Sequence, residues 1–429
     1  MSQLMRTNWA GNYTYRARAI LEPATLSELQ QSVATSDRVK ALGSRHSFNG
    51  IADTAGIQIS LARLNRVLAI DHEARTVRVE GGVRYGELAP VLEQEGFALP
   101  NLASLPHISI AGAISTATHG SGSLIGNLAT QVTALEVVGS KGDLWTASKA
   151  ETPNELAAAV VSLGSVGIFA SVTLAIEPRY SMRQDVYLGL SHDQLAAEFA
   201  AIFDSGTSVS VFTTWRGEQT SAIWVKQRMD WEGVLDLADL AGVVKATTAM
   251  HPLPDGGGGD CTTQLGRVGP WYKRLPHFKM DFEPSHGAEI QTEYFIPYAY
   301  GPQAVAAMRT LGGALAPVLM ISELRTIAAD GLWLSPGFRG PSLAIHFTFK
   351  RDPIQVAAVL LLIETVLSPF GAVPHWGKVT RLAPQAIVEN YEKFSCFKEF
   401  ARDMDPDQVF TNEYLDLLFD VPVRQSFFG

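Results

Sequence analysis

Val39-Lys40-Ala41-Leu42-Gly43-Ser44-Arg45-His46-Ser47-Phe48 opens as a short apolar run and passes straight into a small-residue loop with a histidine at its centre. Val39 to Leu42 reads as a buried strand, and Gly43 and Ser44 leave room for the chain to turn or to approach a ligand. Upstream, Thr25-Leu26-Ser27-Glu28 after Pro23 has the spacing of a capping box, with Leu26, Leu29 and Val33 on one helical face. Downstream, strands are expected around Ile57–Leu61 and Thr76–Glu80. A further helix carries Tyr85, Leu88 and Leu92 and is closed by Gly96. Helix and strand patterns therefore alternate around the histidine loop.

Beyond it, Gly96 to Leu135 contains no Asp, Glu, Lys or Arg. Ser109-Ile110-Ala111-Gly112-Ala113-Ile114-Ser115-Thr116-Ala117-Thr118-His119-Gly120 is its most small-residue-rich part. Such residues let a backbone come close to a phosphate and hold it through amides and hydroxyls. A tightly packed segment between domains needs small residues for the same steric reason, and composition does not separate the two. Gly120-Ser121-Gly122-Ser123-Leu124-Ile125-Gly126 has the wrong last spacing for a dinucleotide fingerprint, which counts against a nicotinamide enzyme of the Rossmann type. Neither a G-x-S-x-G elbow nor an H-E-x-x-H pair is present, so serine-hydrolase and zinc-protease readings lack support.

A chain of 429 residues exceeds what one core organises, and two domains are expected. Hydrophobic residues at 46% against 18% charged fit well-filled globular cores, and a net charge of -9 argues against a nucleic-acid partner. Cys261 and Cys396 lack metal or redox spacing; both read as packing residues in a cytoplasmic protein. The opening residues, Met1 to Ala19, lack the apolar core of a signal peptide. Ala157–Ile176 is uncharged and long enough to span a membrane, but Gly164, Ser165 and Gly167 break it into a helix end, a turn and a buried strand. No membrane partner is expected. Asp255-Gly256-Gly257-Gly258-Gly259-Asp260 follows no strand and reads as a surface connection, and Val356–Ile363 as a buried helix. Nothing in the sequence speaks to oligomeric state, and a monomer accords with it.

Two polar pairs that can carry chemistry stand out in the second half. Glu323 and Arg325 flank one apolar residue, so on a strand both point to the same face, and His346 and Thr348 share that spacing. Pairs of this kind are ordinarily solvated strand faces. Here Val318-Leu319-Met320-Ile321 precedes Glu323, a context in which a buried, functional charge is more plausible.

The strand running into Gly43-Ser44-Arg45-His46-Ser47-Phe48 resembles the first pyrophosphate loop of FAD-linked oxidases with the vanillyl-alcohol-oxidase fold. Ile114–Gly122 resembles their second small-residue segment, and Leu163-Gly164-Ser165-Val166-Gly167-Ile168 a third. Asn8-Trp9-Ala10-Gly11-Asn12, Ala103-Ser104-Leu105-Pro106-His107-Ile108-Ser109, Ser322-Glu323-Leu324-Arg325-Thr326, His346-Phe347-Thr348 and Pro374-His375-Trp376-Gly377-Lys378 resemble the sugar-lactone and alditol oxidase family, particularly its alditol (xylitol) branch. The resemblance implies an α+β fold: an FAD-binding domain of two α/β subdomains over residues 1–179, divided near 100, a substrate domain on an antiparallel sheet over 180–373, and a return to the FAD domain over 374–429.

It also implies FAD joined covalently to His46, with Leu42, Gly43, Ser44, Arg45, Ser47, Ser104, Ser109, Gly112, Thr116, Thr118, His119, Gly120, Gly167, Ile168 and His375 around the cofactor. Arg45 departs from the glycine common at its place, and packing roles stay open for His119 and His375. The implied reaction oxidises the terminal primary alcohol of xylitol, sorbitol or glycerol, with a hydride passing to the flavin and O2 reduced to H2O2. Alkoxide charge then demands a base and cations: His346 takes the proton, Arg325 and Lys378 stabilise the oxygen, and Glu323, Thr348 and Ser104 hold the other hydroxyls. An aldono-1,4-lactone oxidase or dehydrogenase on the same fold is the nearest rival. A flavin- or carbohydrate-binding protein without turnover is a remoter one.

Overall fold

The computed structural model describes residues 6–231, 235–253, 256–282 and 288–420. Asp255, at the start of the Gly-rich loop, and Met1–Met5 of the opening stretch lie outside the described residues. The chain builds three main sheets. Strands β1 (Ala19–Leu21), β2 (Val39–Leu42) and β3 (Ile57–Ser60) form a parallel sheet in the order β1-β3-β2. The helix Leu26–Ala34 crosses between β1 and β2. Thr25 caps it by accepting from the Glu28 amide at 3.1 Å, while the Glu28 carboxylate reaches back one residue further than a strict capping box, to the Ala24 amide at 2.7 Å. Leu29 and Val33 are fully buried against Val39 and Ile59.

Strands β4 (Val67–Asp71) and β5 (Thr76–Glu80) leave that sheet for a second one. A short ladder then joins β6 (Phe97–Ala98) to a strand near the domain's end. With β7 (Val132–Val138), β8 (Leu144–Ser148) and β9 (Ile168–Ala175), the second sheet runs β4-β5-β9-β7-β8, antiparallel throughout, and β6 pairs with β10 (Glu177–Pro178). The boundary between the two sheets falls between Ser60 and Val67, and the first sheet is the parallel one. The cause is the β4–β5 hairpin, whose second strand pairs with β9 and so belongs to the later sheet. Ala157–Ile176 resolves into the end of a helix, Pro153–Ala159, a turn with Gly164 and Gly167 at positive φ, and β9.

The third sheet is also antiparallel. It contains β11 (Ser181–Leu188), β12 (Ser208–Thr213), β13 (Ala222–Arg228), β14 (Val244–Lys245), β15 (Gly269–Pro270), β16 (Glu289–Pro297), β17 (Leu319–Ile327), β18 (Ser342–Lys350) and β19 (Val373–Pro374). Their order is β14-β11-β13-β12-β17-β18-β16-β19, with β15 also on β11. One face packs Val209, Ile223, Leu324, Ile345 and Phe347 under the helices Phe199–Phe203, Gly301–Arg309 and Pro353–Leu367. Pro353–Phe370 is long and apolar enough to cross a membrane, yet Val356, Leu360, Ile363 and Leu367 are buried against this sheet. Leu361 and Leu362 of the same helix are exposed, so the run Val356–Ile363 is buried on one side only.

After β19 the chain returns to the first half. Val409 and Phe410 pack beside β2 and β3, and Phe397, Leu415 and Leu418 join the core under the second sheet. Cys261 is buried; Cys396 is exposed on the helix Phe394–Met404, which corrects the reading of both cysteines as packing residues.

Candidate active site

The free face of the third sheet looks into a cavity whose other wall comes from the loops at the ends of the first two sheets. Leu42, Gly43, Ser44, Arg45, His46 and Ser47 line that wall with Ser104, Ser109, Gly112, Thr116, Thr118, His119, Gly167 and Ile168. Arg45 sits at φ 64, a left-handed conformation that costs a side chain roughly 1–2 kcal/mol and is free to glycine. Its guanidinium turns back to donate to the Thr7 carbonyl at 3.2 Å. The His46 ring stacks on Trp9 with centroids 5.2 Å apart. Its Nδ1 is enclosed and finds no hydrogen-bond partner. Burial, helped by the nearby Lys378 charge, pulls the imidazole down to about 3, so the ring is neutral and keeps a free lone pair.

The Ser109 hydroxyl is likewise enclosed without a partner, while its amide donates to Ser44 Oγ at 3.2 Å. A Cβ at Gly43 or Gly112 would lie 2.7 or 2.9 Å from that hydroxyl, so both positions must be glycine for the serine to face the cavity. Among the described residues, the lining on this side carries no carboxylate that would repel a pyrophosphate; the acidic residues of the cavity, Glu289, Glu293 and Glu323, all lie on the sheet. Small residues, an orphaned hydroxyl and an orphaned imidazole nitrogen together fit FAD. Gly120 does not belong to this wall. A Cβ there would strike the Asn101 side chain at 2.4 Å and the Leu102 carbonyl at 2.5 Å, so its smallness serves packing of the charge-free segment.

Across the cavity the antiparallel register aligns the sheet side chains into rows. Phe212 on β12, Glu323 on β17, His346 on β18 and Glu293 on β16 are lateral neighbours. Ile321, Thr348 and Gln291 form the adjoining row. Successive residues of a strand alternate faces, so Arg325 and Glu289 project to the same side as these rows. All seven polar groups line the cavity, as do Lys378 and His375 from the segment after β19.

Glu293 is the hub of the polar set and had no place in the sequence reading. Its Oε1 accepts from Arg325 Nη2 at 2.6 Å and from His119 Nε2 at 3.1 Å, and its Oε2 lies 3.6 Å from His346 Nδ1. Burial opposes its charge, but His119 and Arg325 outweigh that and hold the carboxyl well below the usual range. Glu323 is held low too: burial is overcome by Arg325 and by His277, whose Nε2 lies 2.7 Å from Glu323 Oε1. Arg325 also donates to Ser104 Oγ at 3.3 Å, tying the two walls together. His346 Nε2 sits 3.2 Å from Thr348 Oγ1; burial lowers its imidazole below the ordinary value, with Glu293 opposing.

Lys378 Nζ donates to Gln291 Oε1 and lies 4.7 Å over the Phe48 ring, and burial brings its ammonium down to about 8. His375 takes the Gly377 amide on Nδ1 at 3.0 Å, stacks on Phe295 and is pushed to about 3 by burial. Glu293, Gln291 and Glu289 share a third period-two spacing, a signal that the sequence reading did not use. His277 comes from an irregular segment and left no such signal.

A parallel-sheet loop, a small-residue wall and an opposed antiparallel sheet bearing buried charges define an FAD-dependent oxidoreductase of the two-domain, FAD-linked kind. Residues 17–148 match the model of an FAD binding domain, and residues 286–418 that of D-arabinono-1,4-lactone oxidase. The chain is 42% identical over 417 residues to an alditol oxidase of a Streptomyces species, covering 96% of this chain and 99% of the relative. It is 25% identical to mouse L-gulonolactone oxidase, over 96% of this chain and 97% of the relative. Against an L-gulono-1,4-lactone dehydrogenase of Mycobacterium tuberculosis it is 27% identical over 95% and 97%. The chain belongs to the sugar-lactone and alditol oxidase family.

Proposed function

We propose that the protein oxidises the terminal primary alcohol of a small alditol such as xylitol, sorbitol or glycerol to the aldose, with O2 reduced to H2O2. The observation that carries this reading is the cavity row Glu323–His346–Glu293 with Arg325, Thr348 and Lys378 beside it. An open polyol offers no apolar handle, so recognition rests on hydrogen bonds, and a site of buried polar groups rejects analogues that leave them unpaired. The 42% identity to an alditol oxidase supports the same substrate class.

Bound FAD supplies the hydride acceptor and returns the electrons to O2. Glu293, 3.6 Å from His346 Nδ1, favours the tautomer with its proton on that nitrogen. Nε2 is then left as the base that takes the substrate hydroxyl proton, beside Thr348 Oγ1. Arg325 and Lys378 bring positive charge to the developing alkoxide. Glu323, Thr348 and Ser104 hold the remaining hydroxyls and fix which carbon is presented. His46 would hold the flavin covalently through a ring nitrogen; the support is its enclosed, neutral ring with Nδ1 lacking a hydrogen-bond partner. His375 and the serines and threonines of the opposite wall position the cofactor. We place the protein in the cytoplasm as a monomer, with the helix Pro353–Leu367 acting in packing rather than as a span.

A second reading, oxidation of an aldono-1,4-lactone, is favoured by the family match over residues 286–418, which include His346 and Lys378. Peroxide release in air from xylitol, sorbitol and glycerol, set against gulono- and galactono-1,4-lactone, separates the two. Release from the polyols is expected. Release from the lactones alone moves the enzyme to the other branch, and no release from any of them refutes the oxidase reading.

A further inference from the structure

Behind Glu323 lies a chain of buried polar groups that the mechanism above does not use. Lys226 on β13 is 1% exposed; burial brings its ammonium down to about 7, and the charged form has three protons to place. They go to the Leu275 carbonyl, to the Pro276 carbonyl at 3.1 Å and to His277 Nδ1 at 2.9 Å. A nitrogen that accepts from Lys226 carries no proton of its own, so a neutral His277 has its proton on Nε2. That nitrogen meets Glu323 Oε1 at 2.7 Å. The ring is held edge-on by Trp224 at 5.1 Å and Phe212 at 5.6 Å, which leaves it one orientation. The same turn grips the opposite wall: the amides of His277 and Phe278 donate to the Ser104 carbonyl at 3.0 and 3.3 Å.

We infer that His277 is a substrate-positioning residue, locked by Lys226 as the Nε2–H tautomer, that occupies one oxygen of Glu323 and so presents the other as a pure acceptor to a substrate hydroxyl. This rests on the alditol reading for the identity of the hydroxyl, not for the geometry. The Leu275–Phe278 turn thereby sets the spacing between Glu323 and Ser104, which bear on the substrate from opposite walls. Two alternatives are disfavoured. An imidazolium at His277 would leave Nδ1–H pointing at the Lys226 ammonium, with like charges in contact. A purely structural part would be served as well by apolar residues of similar volume, since buried charges recover their desolvation cost only when fully paired. Here the His277 and Phe278 amides and the His277 ring are aimed at Ser104 and Glu323, both cavity groups. The charged and titratable groups facing this chain are Arg325 and His346 beside Glu323, Glu293 beyond Arg325, and Cys261 beside Lys226.

The test compares His277→Leu, His277→Gln and Lys226→Met with the parent holoenzyme, reading KM, kcat and the pH profile of kcat/KM with the polyol it turns over fastest. Gln places an amide N–H where the Nε2–H stood. His277→Leu is expected to raise KM about tenfold or more with kcat within about threefold, because binding to Glu323 is made equally before and during reaction. Its acid limb, set by the base His346, should stay close to the parent's, because Glu293 still faces that ring. His277→Gln should restore most of KM, and Lys226→Met should lie between. An unchanged KM in His277→Leu would overturn the inference. So would equal damage in His277→Leu and His277→Gln with a matching loss of bound flavin, which marks a merely structural role. Parent turnover with polyols or lactones judges the function reading, and the variant-to-parent ratios judge this one.

Discussion

Replacing Glu293 with Gln tests the reasoning most directly, because it keeps the shape of the hub and removes its charge. When His346 takes the hydroxyl proton, its ring becomes a cation 3.6 Å from Glu293 Oε2. At an effective dielectric constant of about 20, unit charges at that separation attract by roughly 4–5 kcal/mol. Each 1.4 kcal/mol or so is a factor of about ten, which sets a ceiling near 10³-fold in rate. Gln recovers about 1–2 kcal/mol through a neutral hydrogen bond. The expected loss is therefore about 10²-fold in anaerobic flavin reduction by xylitol, followed by stopped-flow bleaching. The sign of the pH effect is also fixed. Glu293 is what pulls the His346 imidazole upward against burial. Without it the group falls further, so the acid limb of kcat/KM moves to lower pH while the plateau drops. Flavin content and Tm serve as folding controls. A well-folded, flavin-loaded Glu293→Gln that is reduced within about threefold of the parent rate would refute His346 as a base assisted by Glu293.

His46→Ala should release its flavin into the supernatant on acid precipitation while the parent keeps it in the pellet; free flavin from the parent would sink the covalent linkage. Lys378→Ala should slow flavin reduction by about 10²-fold if the ammonium stabilises developing charge. Because burial brings Lys378 down to about 8, kcat/KM should decline as pH rises through that value, and Lys378→Arg should carry the decline to higher pH. Lys40→Met should destabilise the fold by about 2–4 kcal/mol, since the Leu163, Gly164 and Phe410 carbonyls lose their shared donor. Burial lowers Lys40 from 10.5 to about 7, so between those values the unfolded chain binds the extra proton and the parent gains stability as pH rises. The gap in Tm between parent and variant should then widen on the alkaline side, and a constant gap would count against a buried, titrating Lys40.

Much of the cavity was legible because its residues obey short periods. Glu323 with Arg325 and His346 with Thr348 could be placed on one strand face each, and the structure brings both faces together. Glu289, Gln291 and Glu293 have the same spacing, but an acidic alternation without an apolar run before it reads as an ordinary solvated edge. Lys226 was hidden for the opposite reason: Ala222, Trp224 and Lys226 look like a core strand ending in a surface lysine. His277 depends on a turn whose shape is set by Lys226 from another strand, and no local pattern encodes that. At Gly120 a glycine beside a ligand and a glycine packed on Asn101 look alike in a sequence.

The register rows on β16, β17 and β18 carry an evolutionary consequence. At a two-residue period, a side chain in a row can be exchanged without changing which face the other residues of its strand present, so substrate preference can drift letter by letter. A single inserted or deleted residue between Glu289 and Thr348 within a strand would instead turn the polar row under the helices and the apolar row into the cavity. A bulge between Leu319 and Ile321 already marks one such change of phase, at the rim of the row where it does no harm. Relatives that handle other sugars should therefore differ here in spelling and hold their strand lengths fixed, with insertions confined to the connections between strands.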